Sequence, residues 1–563
     1  MKLCKNIVCL LLCIAVVCGI CACGGGSGAQ NGEATTLVVY RARSNGMTVG
    51  VDDEKVEKAL EDKFYEDTGL KIDLKMQMYE NEELPQKVDT GFPSKKVQID
   101  AVLHTISNDD VGSAIMKYAR STDEPVSDVD SLLEQYGQNI LKYIRMNDEG
   151  HLAERAGYVS INGNIKMKII PAVYETKTFA IMLRKDYWEK AYKSKKTSLN
   201  PEDYDVTNSD YKNLTVEEFA SVMKAIGETV TTVSYPVTGK FWDLCRTIGS
   251  AYGADYFNAG TDTDGTIIPQ MVTEGYAKFM DLLYDWSKNG IWEIDSAQVN
   301  DDTRKSNFIA GKNAAYVSYP TPSELINVSR SLSNVDSSAQ CMIIAPLAVE
   351  ENGSKIVRGY YQQPAAFEGI VLPAKSGNSE LMVKFLDWMY ASVDNYELAK
   401  YGIKGEHWID GPTVEVEGKT YQTWAYPAGK EDAYNKSSPY SGCWNILINT
   451  NLSNRIRADY NTTEKNWCVY ITQIFEGYCN FETVGINIAE APRDYYTATA
   501  KISADFTEIN AKAITGQLYN GKTPGTAINE LRENILEKYA GYIAWLNESY
   551  TASKTFFATK FGD

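Results

Sequence analysis

The sequence predicts an α/β protein with a parallel sheet and more than one hydrophobic core. Two observations carry that expectation. Short apolar runs alternate with helical periodicity between residues 36 and 103, the pattern of β-α-β units. At 563 residues the chain is also too long for one core, so it divides into two large lobes or several domains.

The elements follow in order. Thr36-Leu37-Val38-Val39-Tyr40 reads as a short apolar strand. Val56, Leu60 and Phe64 recur every four residues with Ala59 beside them, and Gly69 stands just beyond, so this is an amphipathic helix closed by glycine. Ile72, Leu74 and Met76 alternate with charged residues as in a half-buried strand, and Ile99 to Leu103 is a more buried one. Tyr158 to Met167 reads as a hairpin with Asn162-Gly163 at its turn. Apolar stretches follow at Ile169 to Tyr174 and Phe179 to Asp186. Thr215 and Glu218 form a capping box ahead of Phe219, Val222, Met223 and Ile226. Thr273 caps a helix bearing Tyr276, Met280 and Leu283 that ends at Gly290, and another helix holds Met382, Phe385, Leu386 and Met389. Ile528, Leu531, Ile535, Tyr539, Tyr542 and Leu546 predict one last long helix.

The amino terminus reads as a targeting segment. Lys2 and Lys5 precede an apolar run from Ile7 to Val17, and small residues follow up to Ala22-Cys23. The run is shorter than the roughly 20 residues that a membrane-spanning helix needs. A cleavage site ending in Ala-Cys resembles a bacterial lipoprotein signal. That resemblance implies a signal peptide over residues 1–22 and acylation of Cys23; an ordinary secretory signal is the alternative. Gly24 to Gly28, within residues 23–35, reads as a flexible tether. The expected location is the outer side of the cell membrane, reached through a lipid anchor rather than a spanning helix.

Composition narrows the partners. Formal net charge is −18, and losing Lys2 and Lys5 makes the body more acidic still, which argues against nucleic acid. Six of the eleven Cys lie in the first 23 residues. The widely spaced Cys245, Cys341, Cys443, Cys468 and Cys479 make no disulfide framework, although a Cys468–Cys479 bridge or all-free thiols both fit. Tyr at 37 copies leads the aromatics, with 16 Phe and 10 Trp. Flat apolar faces with polar tips suit sugar binding, while most such residues serve cores and ordinary surfaces.

Chemical motifs are sparse. The three histidines, His104, His151 and His407, are far apart and show no metal-ligand spacing. Asp262-x-Asp264-Gly265 lacks the later residues of a calcium loop and reads as a polar hairpin turn. Neither a nucleophile elbow nor a phosphate-binding loop occurs. No cofactor, metal or enzymatic activity is expected.

Several segments, taken in order, resemble a known family. They are Asn162-Gly163-Asn164-Ile165, Ile170-Pro171-Ala172 with Phe179 to Lys190, Asn213 to Phe219, Phe308 to Tyr316, and Lys384 to Tyr390 with Tyr401 to Trp408. Together they resemble extracellular solute-binding protein family 1, in the carbohydrate-uptake lipoprotein branch that serves bacterial ABC importers. Leu183-Arg184 and a longer tail beyond Gly516 depart from the family pattern. The resemblance implies a two-lobed periplasmic-binding-protein-like fold with a hinged cleft between the lobes. It places the first lobe at residues 36–172 and 303–357, and the second at 173–302 and 358–563. It implies a monomer that captures a carbohydrate, most simply an oligosaccharide, and passes it to ABC permease subunits.

Ligand contacts are expected at the carboxyl ends of strands and at the crossings between lobes. Tyr40, Arg41 and Arg43 end the first strand; an arginine there donates a fork of hydrogen bonds to hydroxyls or pairs with a nearby carboxylate. Tyr174 and Glu175 mark the first crossing, and Tyr360, Tyr361 and Gln362 the return. Trp242 opens a helix that reaches Tyr252, and Trp444 sits in the Ser441-Gly442-Cys443 loop. Trp286 shares a face with Phe279 and Leu283 and is expected in the core. Two other classes compete: a surface glycoside hydrolase, which shortens its sugar, and a binder of peptides or other solutes. An adhesin or scaffold is a further reading, one that predicts no thermal response to soluble saccharides.

Overall fold

The computed structural model describes residues 33–43, 48–94, 96–105, 115–146, 151–173, 180–254, 259–262, 264–293, 300–318, 322–361, 368–416, 418–476, 479–480, 495 and 497–562. The signal, Cys23 and the tether up to Asn31-Gly32 lie outside these residues. Among the described residues no helix is long and apolar enough to cross a membrane.

The chain opens with β1 (Thr35–Ala42), α1 (Asp53–Thr68), β2 (Ile72–Tyr79) and β3 (Ala101–Thr105), the expected alternation with the third strand two residues late. Gly69 closes α1 at φ 73, a left-handed conformation glycine adopts without strain. The β4–β5 hairpin (Tyr158–Ile161, Asn164–Met167) turns at Asn162 and Gly163, both with positive φ as a tight hairpin requires. Then come β6 (Ile170–Pro171), β7 (Ala180–Arg184), α2 (Val216–Thr229), β8 (Val237–Thr238), α3 (Phe241–Thr247), the β9–β10 hairpin (Ala259–Thr261, Ile267–Pro269) and α4 (Glu274–Lys288). The capping box forms: Thr215 Oγ1 accepts from the Glu218 amide at 3.0 Å, and Glu218 accepts from the Thr215 amide at 2.8 Å. The rest is β11 (Ala315–Ser318), β12 (Cys341–Ile344), β13 (Tyr360–Tyr361), β14 (Glu368–Val371), α5 (Ser379–Ala391), α6 (Ala498–Ile514), α7 (Pro524–Lys538) and α8 (Ala540–Phe561).

Two sheets organise two lobes. The first has five strands in the order β2-β1-β3-β14-β6. Leu37 and Val39 of β1 face Val56, Leu60 and Phe64 of α1, while Val38 and Tyr40 face Leu84, Val88 and Phe92. β1 runs parallel to β2 and β3 and is buried on both faces, which explains its unbroken apolar run, but β14 runs antiparallel to β3 and β6, so the sheet is mixed rather than the parallel one expected. Asp100 is wholly buried, but its carboxylate accepts from the Val38 amide at 2.8 Å and from Gln98 and Asn378 side chains, so its polar oxygens are satisfied. The second sheet has four strands, β12-β7-β11-β8. Ile181 and Leu183 join the core built by α2, α4 and α6, with Trp286 fully buried as expected; Ala180 and Met182 face a separate cluster with Phe308 and Trp467.

The sheet pairing divides the chain differently from the expected boundaries. Residues 303–357 were expected in the first lobe, yet β11 and β12 pair with β7 in the second. Part of 358–563 was expected in the second lobe, yet β14 pairs with β3 and β6, and residues from 382–399 and 440–452 fill the first core. Strands of two to four residues carry too little pattern to name a distant partner.

Three other expectations change. The last long helix is two: Tyr539, at φ −111, breaks it into α7 and α8. The helix opened by Trp242 stops at Thr247, and Tyr252 ends a separate 3-10 turn. Cys468 is in no disulfide, so of the two alternatives the bridge to Cys479 falls away. The Asp262 turn is the expected polar hairpin, and the Asp262 carboxylate pairs with Arg532 of α7.

Candidate functional site

The crossings identify where the two sheets meet. β6 ends at Pro171 and the chain next forms β7 from Ala180; β13 ends at Tyr361 and the chain next forms β14 from Glu368. Register puts Ala42 beside Tyr79, Thr105 beside Glu368 and Gly369 beside Pro171, all at one edge of the first sheet. In the second sheet Thr238 lies beside Tyr316, Ser318 beside Ala180 and Ile344 beside Ile181, again at one edge. The β6–β7 crossing therefore joins strand-end edge to strand-end edge, and the return enters the first sheet at the same edge from β13, which pairs with Cys479 and Asn480; ligands in open α/β sheets bind beyond such ends. A third connection passes Asn449, which bridges to Val173, and reaches Ile456 in the second lobe. There buried Glu397 accepts from Ser453 at 2.7 Å and from Arg455 Nη2 at 2.9 Å.

Some nominated residues are used internally. Tyr40 is buried, its ring 5.0 Å from that of Tyr79. Arg41 is buried and donates through Nη1 to the carbonyl oxygens of Gly442 at 3.0 Å and Cys443 at 2.5 Å. Trp444 has no exposed surface; its Nε1–H donates to Glu57 at 3.2 Å and its ring packs edge-on to Phe385 at 5.9 Å. Arg41 and Trp444 thus hold the first lobe together, and a buried indole gives no face for a ligand to stack on. Arg41 was expected at a strand end and Trp444 in a loop, but the Arg41 bonds to Gly442 and Cys443 tie that loop to β1.

Others remain open to solvent. Arg43 follows β1 directly, with a third of its side chain exposed, and donates to Glu80 at 3.0 Å. Trp242 is 36% exposed on the first turn of α3, beside Phe241, directly after the β8 edge. Tyr360 and Tyr361 pair with Cys479 and Asn480 through their backbones. Tyr174, Glu175 and Gln362 lie outside the described residues, as do the side chains of Tyr360 and Tyr361.

The edge also gathers residues that sequence reasoning missed. Tyr79 ends β2, and burial with a hydrogen bond to Tyr40 raises its phenol well above the usual value, so it stays a neutral donor. Its hydroxyl donates to Gln77 at 2.7 Å. His104 is buried near the end of β3, and burial lowers its pKa, keeping the ring uncharged at neutral pH. Glu293 accepts from Thr238 Oγ1 at 2.9 Å. The Ile72-Leu74-Met76 alternation continues to Met78 and leaves Tyr79 on the opposite face, so it does not mark that residue, and nothing local marks Glu293. Neutral phenol and imidazole groups, a carboxylate, an arginine and an open indole can hydrogen-bond hydroxyls and stack on an apolar ring face. Among the described residues no group of three or more His, Cys, Asp or Glu could hold a metal ion.

No family model and no curated protein sequence matches this chain. Solved structures do match it in fold. The N-glycan transport solute binding protein NgtS of Streptococcus pneumoniae superposes with a TM-score of 0.60 at 14% identity, over 92% of this chain and 98% of that one. An extracellular solute-binding protein from Bifidobacterium longum subsp. infantis gives a TM-score of 0.60 at 11% identity, over 93% and 100%. The S. pneumoniae ABC-transporter substrate binding protein FusA, in complex with kestose, gives 0.57 at 14% identity, over 92% and 100%. The fold is the two-lobed α/β architecture of these solute-binding proteins.

Proposed function

We propose that this chain is the substrate-binding component of a bacterial ABC importer and that it captures an oligosaccharide in the cleft between its lobes. The observation that carries the reading is likeness over nearly the whole chain to proteins solved as saccharide binders. NgtS has been solved with Man5GlcNAc and FusA with kestose. The strand-end edges support it with groups suited to stacking and hydroxyl bonding. Trp242 offers an open ring after β8, Arg43 and Glu80 a charged pair after β1, and Thr238 with Glu293 a hydroxyl and carboxylate opposite. Tyr174, Glu175, Tyr360, Tyr361 and Gln362 complete the proposed site from the crossings.

The lobes close around the sugar by rotation about the crossing segments. The sugar leaves intact, and separate permease subunits receive it. Acylated Cys23 tethers the body to the outer face of the membrane. The test is a thermal-shift screen across plant, host and bacterial glycans, followed by mass analysis of the bound sugar. Stabilisation by a saccharide recovered unchanged supports the reading. A shortened sugar indicates a hydrolase, and stabilisation by peptides alone overturns the substrate class.

A further inference from the structure

The terminal helix α8 belongs to both lobes. Its 22 residues extend about 33 Å. The first half rests on the second lobe. Leu546 and Ile267 of β10 form a small buried cluster flanked by Tyr542, Trp545 and Tyr550. Asn547 accepts from the Ile267 amide at 2.9 Å and donates to the Ile267 carbonyl at 2.8 Å, so one side-chain amide satisfies both backbone groups, much as a strand would.

The second half rests on the first lobe. Phe557 is 3% exposed within that core, its ring perpendicular to Tyr158 at 5.8 Å, and Phe556 meets the same tyrosine at 5.6 Å. Arg155 lies 5.0 Å from the Phe557 ring. Phe561 stacks on His151 with centroids 4.1 Å apart, and Lys560 pairs with Asp130 at 3.1 Å. Between the two anchors the helix is continuous. Thr551, Thr555 and Thr559 turn their hydroxyls back to the carbonyls four residues earlier, so these side chains are satisfied within the helix.

A stiff rod fixed at both ends constrains the bodies it joins. The lobes can swing only as far as α8 tilts on its contacts, or one anchor must let go. We propose that α8 is a strap that sets how widely the lobes open in the unliganded protein, so that contacts distant from the candidate site bias the open–closed equilibrium. The inference rests on the fold and on α8's two anchors, and it holds whatever ligand the cleft takes.

The test uses the full chain without ligand. Spin labels on keto-bearing side chains at the exposed Lys58 of α1 and Lys278 of α4 report the distance between lobes and leave the native cysteines alone. Phe556→Ala, Phe557→Ala, Lys560→Ala and Phe561→Ala together free the first-lobe end, and Leu546→Ala with Asn547→Ala frees the other. A cooperative melt retained by each variant shows that both cores still fold. Each release is expected to broaden the distance distribution toward longer separations. Releasing both ends adds nothing further, because a strap freed at one end constrains nothing. Phe561→Trp alone, which keeps a stacking ring, leaves the original distribution in place. An unchanged distribution in either release variant overturns the proposal, as does a combined variant whose broadening is the sum of the two.

Discussion

Arg41 reaches from the end of the first strand to the carbonyl oxygen of Cys443, 2.5 Å away in space and 402 residues along the chain. The contact ties β1 to the loop that follows the helices of the first lobe. It turns a residue that looked like a ligand donor into part of the scaffold. Arg41→Met keeps the aliphatic stem and removes the donors, leaving the buried Cys443 carbonyl without its partner, while Gly442 still accepts from the Asn445 amide. The expected loss is about 1–3 kcal/mol of stability. Urea unfolding of the variant measures it. A ligand-binding role would instead leave the urea midpoint in place.

The two tryptophans separate stability from recognition. Trp444 is wholly buried, so Trp444→Ala is expected to cost about 3–5 kcal/mol through cavity formation and lost packing. Trp242 is 36% exposed, and its replacement by alanine should leave the melting temperature nearly unchanged. If the open indole stacks on sugar, Trp242→Ala weakens saccharide affinity about tenfold, roughly 1.4 kcal/mol. Calorimetric melting and titration on both variants provide the comparison.

Glu57 makes stability fall with pH. Burial raises its carboxyl above the ordinary carboxylate value, against donations from Trp444 and the Met76 amide. Below that value the carboxyl is protonated in folded and unfolded chains alike. As pH climbs through the window, the unfolded chain ionises first, and stability drops until the raised folded value is passed. Glu57→Gln can accept the same hydrogen bonds without the charge. The variant's advantage over wild type should therefore grow across the window and then level off. Urea midpoints of both proteins taken through the acid range check this; parallel curves would refute it.

Cys443 should be silent to alkylation in the folded protein. Burial pushes its thiol up to about 12, so almost no thiolate exists near neutral pH. Iodoacetamide followed by peptide mass mapping is expected to find Cys443 unmodified natively and modified after unfolding.

Local signals were legible and long-range pairings were not. The Thr215 capping box, the Asn162-Gly163 turn and the Gly69 cap each formed where a handful of adjacent residues specifies geometry. The buried face of Trp286 followed from helical spacing alone. Lobe membership failed because β14, four residues long, finds its place between β3 and β6 through contacts that no local pattern encodes. The site suffered from the same gap. Arg41 and Arg43 look alike in sequence, two residues apart on a strand. Only the fold shows one turned onto a distant loop and the other left at the surface with Glu80. The join between α7 and α8 stayed hidden because apolar residues continue at helical spacing through Tyr539.

Titration calorimetry of the full chain against an oligosaccharide panel, with the sugar recovered and weighed by mass spectrometry, bears most directly on the function. The account predicts saturable binding of at least one oligosaccharide, weakened in the Trp242→Ala protein, and recovery of the sugar at its original mass. Binding to no saccharide in the panel, or recovery of shorter products, would contradict it.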